Sequence, residues 1–226
     1  MNKIKAIFTL LFLFYSFSYA KELKEVTIQL SWFDQFQFAG YYMAKKKGYY
    51  KQKGLDVKIK PFEFGINIPK AVSEGVYDFA VGRETLIVDK SKGNNIVALY
   101  AIFQSSPLIL LTTKDSNITK IEDFQNKRIM TTVDDAIEVS LKAMIKSRNI
   151  NYEKLNFIDH THNINDLIDE KTDVISAYIS KSPYELQQMG VEYNIFDPKS
   201  YGFDMYSDML YTSNSMIKND IDTVLA

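Results

Sequence analysis

The chain of 226 residues contains no cysteine and only two histidines. Disulfides, thiolate chemistry and zinc sites built from cysteine and histidine are therefore excluded. The charges are nearly balanced, with 27 basic and 28 acidic residues and a formal net charge of −1, so no basic stripe indicates a nucleic-acid partner. The sequence also lacks a phosphate-binding glycine loop and a serine–histidine–aspartate motif. We therefore expect no catalytic residues, no metal site and no cofactor.

Long apolar runs are also scarce, and the run at the N-terminus is too short to span a membrane comfortably. Residues 6–15 are apolar, follow the basic residues Lys3 and Lys5, and precede the small residues Ser18 and Ala20. This three-part pattern is typical of a secretory signal peptide that is cleaved after Ala20, and a retained N-terminal anchor is the alternative. We expect residues 1–20 to be removed and the mature protein to be periplasmic or otherwise extracytoplasmic.

Aromatic side chains are abundant in one stretch, residues 30–54. It contains the only tryptophan, Trp32, together with three phenylalanines and four tyrosines. A strand, a polar and aromatic loop that includes Gln35, and a helix beginning near Phe38 follow one another here. Proteins of the α/β class commonly build ligand pockets in this way. Core packing is the alternative for each ring, but the mixture of polar and aromatic residues in the loop favours a binding site.

The rest of the chain alternates short strands with helices, which predicts an α/β fold with parallel-rich sheets. Residues 96–103 are the most apolar stretch after the leader and predict a central buried strand, while residues 136–148 predict one long amphipathic helix. Polar loops follow three strands, at 32–37, 82–85 and 104–106. Because ligands bind at the carboxyl ends of parallel strands, we expect these loops to meet at one edge.

Several stretches spread over the mature chain resemble one known family. They are LSWFDQFQFAGYYMAKKKGYYKQKGLDVKI (30–59), DFAVG (78–82), AIFQSSP (101–107), IEDFQNKRIM (121–130), SPYEL (182–186) and YGFDMYSDMLYTS (201–213). The chain resembles the SsuA/THI-like solute-binding proteins, also called NMT1-like, which bind thiamine pyrimidine precursors, sulfonates and related small molecules.

The resemblance implies a two-lobed periplasmic binding protein fold of the type II-like class, with the ligand in the cleft between the lobes. The chain of such proteins crosses between the lobes twice. Lobe one is then expected at 24–108 plus 202–226, and lobe two at 109–201. Full-length members continue well past residue 226, so we expect lobe one to be incomplete at the C-terminus.

Family members of this kind capture a small molecule, such as a thiamine pyrimidine precursor, and pass it to an ABC permease. Similar domains are also the extracellular inputs of sensor kinases and diguanylate cyclases, so ligand sensing with a fused or partner signalling module is an alternative. One branch is a fungal pyrimidine synthase that uses its own histidine, pyridoxal phosphate and a cysteine-rich iron motif. This chain has no cysteine and neither histidine nor lysine at 82–88, so we expect binding without catalysis.

The expected ligand site combines the strand-end loops with residues of lobe two. The ring of Trp32 could stack on a flat heteroaromatic ligand, and Gln35 could supply amide hydrogen bonds. Arg83 and Glu84 could form a local ion pair with each other. Alternatively, one of them could reach the ligand, and the Glu84 carboxylate would then make a charge-assisted hydrogen bond to an amidine-like pyrimidine. The full predicted set of ligand-binding residues is Trp32, Gln35, Phe38, Tyr41, Arg83, Glu84, Gln104, Ser106, Glu138, Tyr178, Asp204 and Tyr206.

Two parts of this prediction have a purely structural alternative. Glu138, in the first turn of the predicted long helix, could serve only to stabilise the helix dipole. His160 and His162 are one residue apart beside Asp159, but a metal site would need a third ligand at suitable geometry. We therefore interpret the two histidines as part of a surface loop.

Overall fold

The computed structural model describes residues 22–226, so the predicted signal peptide over residues 1–20 lies outside the described residues. This part of the chain forms two five-stranded sheets that are flanked by helices. None of its helices has the length and apolar character needed to cross a bilayer. The α/β class predicted from the alternation of strands and helices is confirmed.

The first sheet, which we call the first lobe together with its helices, is built from both ends of the described chain. Its strands are β1 (Lys24–Gln29), β2 (Leu55–Lys60), β3 (Phe79–Gly82), β4 (Ile96–Phe103) and β10 (Ser207–Ser213), in the order β2-β1-β3-β10-β4. β1 runs parallel to β2 and β3, and β10 runs antiparallel to both β3 and β4. The first four strands therefore all end at the same edge of the sheet.

The second sheet, which with its helices is the second lobe, is continuous in sequence. Its strands are β5 (Leu108–Thr113), β6 (Arg128–Thr131), β7 (Asn156–Asp159), β8 (Val174–Tyr178) and β9 (Tyr193–Phe196), in the order β7-β6-β8-β5-β9. β6 is parallel to β7 and β8, and β5 is antiparallel to β8 and β9. The chain passes from the first sheet to the second after β4 and returns after β9.

The helices cover the faces of the two sheets and are short. They are α1 (Ala39–Lys46), α2 (Tyr49–Gln52), α3 (Ile68–Ser73), α4 (Leu86–Ser91), α5 (Val133–Ala136), α6 (Val139–Lys146), α7 (Asn165–Ile168), α8 (Ser182–Gln188), α9 (Asn214–Asn219) and α10 (Ile221–Leu225). Single turns of 3₁₀-helix lie at Phe36–Phe38, Ile121–Phe124, Tyr152–Lys154 and Pro198–Tyr201.

Each sheet separates two hydrophobic clusters because successive side chains of a strand point to opposite faces. In the first lobe, Val81 packs with one cluster and Ala80 with the other. In the second lobe, Leu110 and Ile109 divide in the same way. The sheets are thus buried on both faces, and their strand ends are left to form the interface between the lobes.

The apolar segment 96–103 forms a strand, but the prediction that this strand is central and buried is wrong. β4 is the edge strand of its sheet, and Tyr100 and Ile102 are 50% and 36% exposed. β10, about a hundred residues later in the chain, pairs between β3 and β4. A pairing between such distant segments leaves no signal in the local pattern of apolar residues.

The prediction of one long helix over residues 136–148 is also wrong, because the segment is divided into α5 and α6. Ile137 ends the first helix, and Glu138 has an extended backbone with ψ of 133° as the N-terminal cap residue of the second. The amphipathic pattern continues across this break, since Leu141, Met144 and Ile145 are all buried in the second lobe. The break moves the Glu138 carboxylate away from the helix surface and toward the first lobe.

Candidate ligand-binding cleft

A cavity of about 1460 Å³ lies between the two lobes. Its first-lobe wall is formed by residues that follow β1 and β3, including Trp32 and Arg83. Its second-lobe wall is formed by residues at the ends of β6, β7 and β8, including Asp135, His162 and Tyr178. The carboxyl ends of parallel strands from both sheets therefore face one another, which is where α/β proteins bind ligands. The volume exceeds that of a typical small-molecule pocket of roughly 300–1000 Å³.

Trp32 forms an aromatic wall on the first-lobe side. Its half-buried ring lies 5.1 Å from the ring of Phe62 and 5.4 Å from that of Phe33, centroid to centroid. Phe33 and Phe62 also pack edge to face with each other at 5.5 Å, an arrangement that aromatic rings favour. Gln35 lines the same wall with an exposed side chain. The indole is therefore braced by two phenylalanine rings, and Trp32 and Phe62 both line the cavity.

Arg83 connects the two lobes through buried charges. Its Nη1 donates to Oδ1 of Asp135 at 2.8 Å, and its Nε lies 2.5 Å from Oε1 of Glu138. Glu84 does not pair with Arg83. It is fully buried and accepts a hydrogen bond from the backbone N–H of Ser140 at 2.6 Å. Neighbouring residues after β3 thus reach across to two successive helices of the second lobe.

Burial and pairing set the protonation of these carboxyl groups. Burial raises the pKa of Glu138 to about 8; the Arg83 guanidinium opposes this shift, and the adjacent Glu84 carboxyl adds to it. Burial acts in the same sense on Asp135, but the charge of Arg83 and hydrogen bonds from Arg83 and Ser176 hold the pKa of Asp135 below its usual range. At neutral pH, Arg83 and Asp135 therefore form the ion pair, while Glu138 carries a proton.

A further buried carboxyl group lies close to this cluster. Asp208 is 1% exposed, has a left-handed backbone with φ of 47°, and its carboxylate oxygens have no hydrogen-bond partner among the described residues. Burial raises the pKa of Asp208 to about 6, although the charge of Arg83 opposes the shift. Burial also raises the pKa of the Tyr178 hydroxyl, so Tyr178 stays protonated at neutral pH, whereas Asp208 gains its proton as the pH falls through about 6.

Acidic side chains predominate over basic ones in the lining of the cavity. The ionisable residues other than histidine and tyrosine are Asp89, Asp134, Asp135 and Glu185 on the acidic side and Arg83 and Lys181 on the basic side. Because Arg83 is engaged by Asp135 and Glu138, its charge is not free for an anionic ligand. The electrostatics of the cavity therefore suit a neutral or cationic ligand better than an anion.

The described part of the chain places four of the twelve predicted residues in the lining of the cavity, namely Trp32, Gln35, Arg83 and Tyr178. Phe38 and Tyr41 instead lie in the core of the first lobe, where they are 0% and 4% exposed. Phe38 ends the 3₁₀ turn before α1, and Tyr41 lies on the buried face of α1. Glu84 and Glu138 are buried in the lobe–lobe contact behind the cavity.

The other four predicted residues belong to the two segments that cross between the lobes. Gln104 donates to the backbone carbonyl of Ala101 at 3.0 Å, and Ser106 accepts from the N–H of Leu108 at 3.4 Å. Asp204 accepts from the hydroxyl of Ser105 at 3.1 Å. The side chain at position 206 is 59% exposed and, like the others, does not line the cavity. Among these described groups, Asp204 connects the two crossing segments through Ser105, whereas the bonds of Gln104 and Ser106 are local.

Comparison with known proteins agrees with this architecture. Residues 35–226 match the family described as NMT1/THI5 like. The chain belongs to this NMT1/THI5-like family. The family resemblance that the aromatic stretch suggested is thereby confirmed over most of the described chain.

The relatives of this family member differ from it strongly in sequence. A Haemophilus influenzae protein named for thiamine biosynthesis is 23% identical over 91% of this chain and 66% of its own length. The formylaminopyrimidine-binding protein of Halalkalibacterium halodurans is 22% identical over 90% of this chain and 63% of its own length. The chain therefore spans less than two thirds of the length of these relatives.

A solved structure confirms the fold of this NMT1/THI5-like chain. The periplasmic sulfonate-binding protein SsuA of Methylobacillus flagellatus KT superimposes with a TM-score of 0.66 at 17% identity, covering 90% of this chain and 65% of that protein. The two-lobed periplasmic binding protein fold is thus confirmed. Its neighbours in fold include binding proteins of ABC importers.

The two histidines of this NMT1/THI5-like chain lie in a loop beside the cleft. His160 and His162 lie in a loop directly after β7, as interpreted, and His162 is exposed. Both also line the cavity, where neither was predicted. Asp135, after β6, was not considered a site residue. The strand-end rule that located Trp32 and Arg83 applies equally to the second sheet and would have identified all three. In the described part of the chain, no group of three or more potential ligands could hold a metal ion.

Proposed function

We propose that the protein is an extracytoplasmic solute-binding protein that captures a flat, amine-bearing heteroaromatic molecule between its lobes and delivers it to an ABC permease. A thiamine pyrimidine precursor is an example of this ligand class. The observation that carries the proposal is the braced Trp32 ring, which faces a cavity formed by the strand ends of both lobes. A flat ring stacked on an indole gains about 0.5–1.5 kcal/mol beyond the burial of its area.

The charges of the cavity support an amine-bearing ligand over a sulfonate. Acidic groups outnumber basic groups in the lining, and the guanidinium of Arg83 is already paired with Asp135. A sulfonate bound there would lack a free cation on the first-lobe wall, whereas an amino group would meet Asp89 and Asp134, the lining carboxylates outside the Arg83–Asp135 and Lys181–Glu185 pairs. The names of relatives agree with both classes, so the charge argument is what distinguishes them.

Capture by closure explains why the ligand contacts both lobes. A ligand shifts a conformational equilibrium only by its difference in affinity for the two states. Trp32 on one lobe and Tyr178 on the other both line the cavity, so only the closed arrangement offers both surfaces to one ligand. Domain closure about the two crossing segments is the motion that this architecture permits.

A binding role without chemistry is consistent with the groups that line the cleft. Asp135 is engaged in an ion pair with Arg83 and in a hydrogen bond from Ser176 at 2.7 Å. The related proteins named for binding and transport support the same role and a permease partner.

Calorimetry and thermal shift test this proposal directly. A screen of aminopyrimidines, purines, aliphatic amines and alkanesulfonates should give the largest increase in melting temperature with aminopyrimidines, because a ligand stabilises by RT ln(1 + [L]/Kd). Trp32→Ala should weaken the best ligand at least about tenfold, or about 1.4 kcal/mol. Tyr49→Ala is the matched control, since Tyr49 is a 51% exposed aromatic residue outside the cavity. Unchanged affinity in Trp32→Ala would remove the proposed role of the indole.

A further inference from the structure

Two histidine rings face the Trp32 wall from the second lobe. His160 and His162 follow β7, both line the cavity, and their rings stack with centroids 4.8 Å apart and planes 19° apart. The ring of His162 lies 5.6 Å from the ring of Trp32, centroid to centroid. The two lobes thus meet through aromatic rings at this point of the cleft.

His160 is held in one tautomer by its neighbours. Its Nδ1 accepts a hydrogen bond from the backbone N–H of His162 at 2.8 Å, so Nδ1 carries no proton. Its Nε2 lies 2.8 Å from the carbonyl oxygen of Ser176 and therefore must donate to it. A neutral imidazole has one donor and one acceptor nitrogen, and both are satisfied here. His160 is consequently a fixed support rather than a free ligand-binding group.

The support determines where the ring of His162 lies. His162 has a left-handed backbone with φ of 61°, which is uncommon for a residue with a side chain. The hydrogen bond from its N–H to His160 and the stacking of the two rings hold it in this conformation. The charged groups near the ring are Asp135 and Lys181. Neither forms a hydrogen bond with it. The ring stacks on His160, is exposed, and lines the cavity.

We propose that His162 is the second-lobe stacking surface for the ligand, opposite Trp32, and that His160 positions it. This inference rests on the proposed binding function. It specifies the ligand as a planar aromatic ring that stacks on Trp32 with one face and on His162 with the other. Non-bonded carbon atoms pack at about 3.5–4.0 Å, so a ring held between two others needs about 7–8 Å between them. The centroids of Trp32 and His162 must therefore separate by about 2 Å from their present 5.6 Å. The two ring planes, which are now 55° apart, must also become more nearly parallel, so the lobes open and rotate slightly to admit the ligand.

Titration of 4-amino-2-methylpyrimidine into the protein tests the inference by calorimetry. His162→Ala should weaken binding about tenfold, whereas His162→Phe, which keeps a planar ring, should retain most of the affinity. Tyr184→Ala removes a 64% exposed aromatic ring of the same lobe that does not line the cavity, and should bind like the wild type. Affinity for cyclohexylamine, which has no aromatic face, should be similar in His162→Ala and in the wild type.

The outcomes separate this inference from the proposed function. If Trp32→Ala weakens binding while His162→Ala binds as tightly as the wild type, or more tightly, the second stacking surface is refuted and the binding function stands. If the wild type binds no aminopyrimidine or other planar heterocycle, the proposed function fails and this inference fails with it. Equal loss in His162→Ala and His162→Phe would also refute a stacking role, because both faces of a planar ring are preserved in the second variant.

Discussion

Replacing Glu138 by glutamine should remove most of the dependence of stability on pH between about pH 5 and pH 8. The carboxyl group of Glu138 is 1% exposed, and its burial raises its pKa from 4.5 to about 8, against the opposing charge of Arg83. Glutamine has nearly the same shape and cannot ionise. The substitution therefore preserves the packing of the lobe–lobe contact and removes only the titration.

The sign of the effect follows from the direction of the pKa shift. A group whose pKa is raised on folding binds its proton more tightly in the folded state, so its contribution is complete below the unfolded pKa. For Glu138 this contribution is fully present below about pH 4.5 and is lost as the pH rises through about 8. Each unit of pKa shift corresponds to about 1.36 kcal/mol, so the full loss is at most about 5 kcal/mol. The protein should be more stable at pH 5 than at pH 8.

Urea unfolding at half-unit intervals from pH 5 to pH 8 measures this effect, with fluorescence and circular dichroism as two probes of one transition. The free energy of unfolding of the wild type should fall by several kcal/mol more than that of Glu138→Gln. Glu74→Gln is the control, because Glu74 pairs only with Lys70 at the surface, with side chains 57% and 62% exposed. Asp208, whose pKa is raised to about 6, contributes equally to all three proteins and cancels in the comparison.

Parallel pH profiles for the wild type and Glu138→Gln would refute the reasoning, since they would mean that Glu138 has the same pKa in the folded and unfolded states. A second measurement guards against a variant that merely repacks. The infrared carbonyl band of a protonated carboxylic acid should be present in the wild type at pH 6.5 and weaker in Glu138→Gln. Its absence from the wild type at that pH would contradict the raised pKa.

Three other perturbations give distinct readouts. Arg83→Met should cost about 3–5 kcal/mol of unfolding free energy at pH 7, because it leaves a buried carboxylate without its cation; a cost below 1 kcal/mol would contradict the buried ion pair. Fluorescence of Trp32, the only tryptophan, should fall on acidification, because imidazolium quenches indole and His162 is adjacent. The midpoint should lie below about pH 6.5, because burial chiefly lowers the pKa of His162. His162→Phe should abolish the transition. Gly82→Ala should destabilise by about 1–3 kcal/mol, since a Cβ would meet side-chain carbons at 3.0 Å, whereas Gly40→Ala has open space and should stabilise or leave unfolding unchanged.

The local parts of the fold could be predicted from the sequence, and the non-local parts could not. The strand at Ile96–Phe103 was located to the residue because its apolar run is bounded by polar segments. Its place in the sheet was wrong because β10, which is distant in sequence, pairs between it and β3. Periodicity determines which segments are strands, but strand order depends on pairing energies between segments far apart in the chain.

The same limit applies to the candidate site. The strand-end rule located Trp32 and Arg83 in the cavity lining, because it depends only on the direction of parallel strands. It cannot fix helix register or helix breaks. Tyr41 was placed in the cleft but faces the core, and Glu138 was placed on a helix surface but lies at the break between α5 and α6. A one-residue shift in the register of a helix rotates every side chain on it by about 100°.

Closure of the lobes and discrimination among ligands depend on different groups of the cleft. Arg83 forms an ion pair with Asp135, and the backbone N–H of Ser140 donates a hydrogen bond to Glu84. Both contacts join the two lobes directly, without a ligand between them. They favour closure for any ligand equally and therefore cannot discriminate among ligands. Discrimination requires a difference in affinity between ligands, which leaves the cavity-facing rings of Trp32 and His162 and the acidic lining to supply it. Substitutions at Glu84, which does not line the cavity, should accordingly weaken all ligands by a similar factor, whereas substitutions at His162 should change the ratio between planar and non-planar ones.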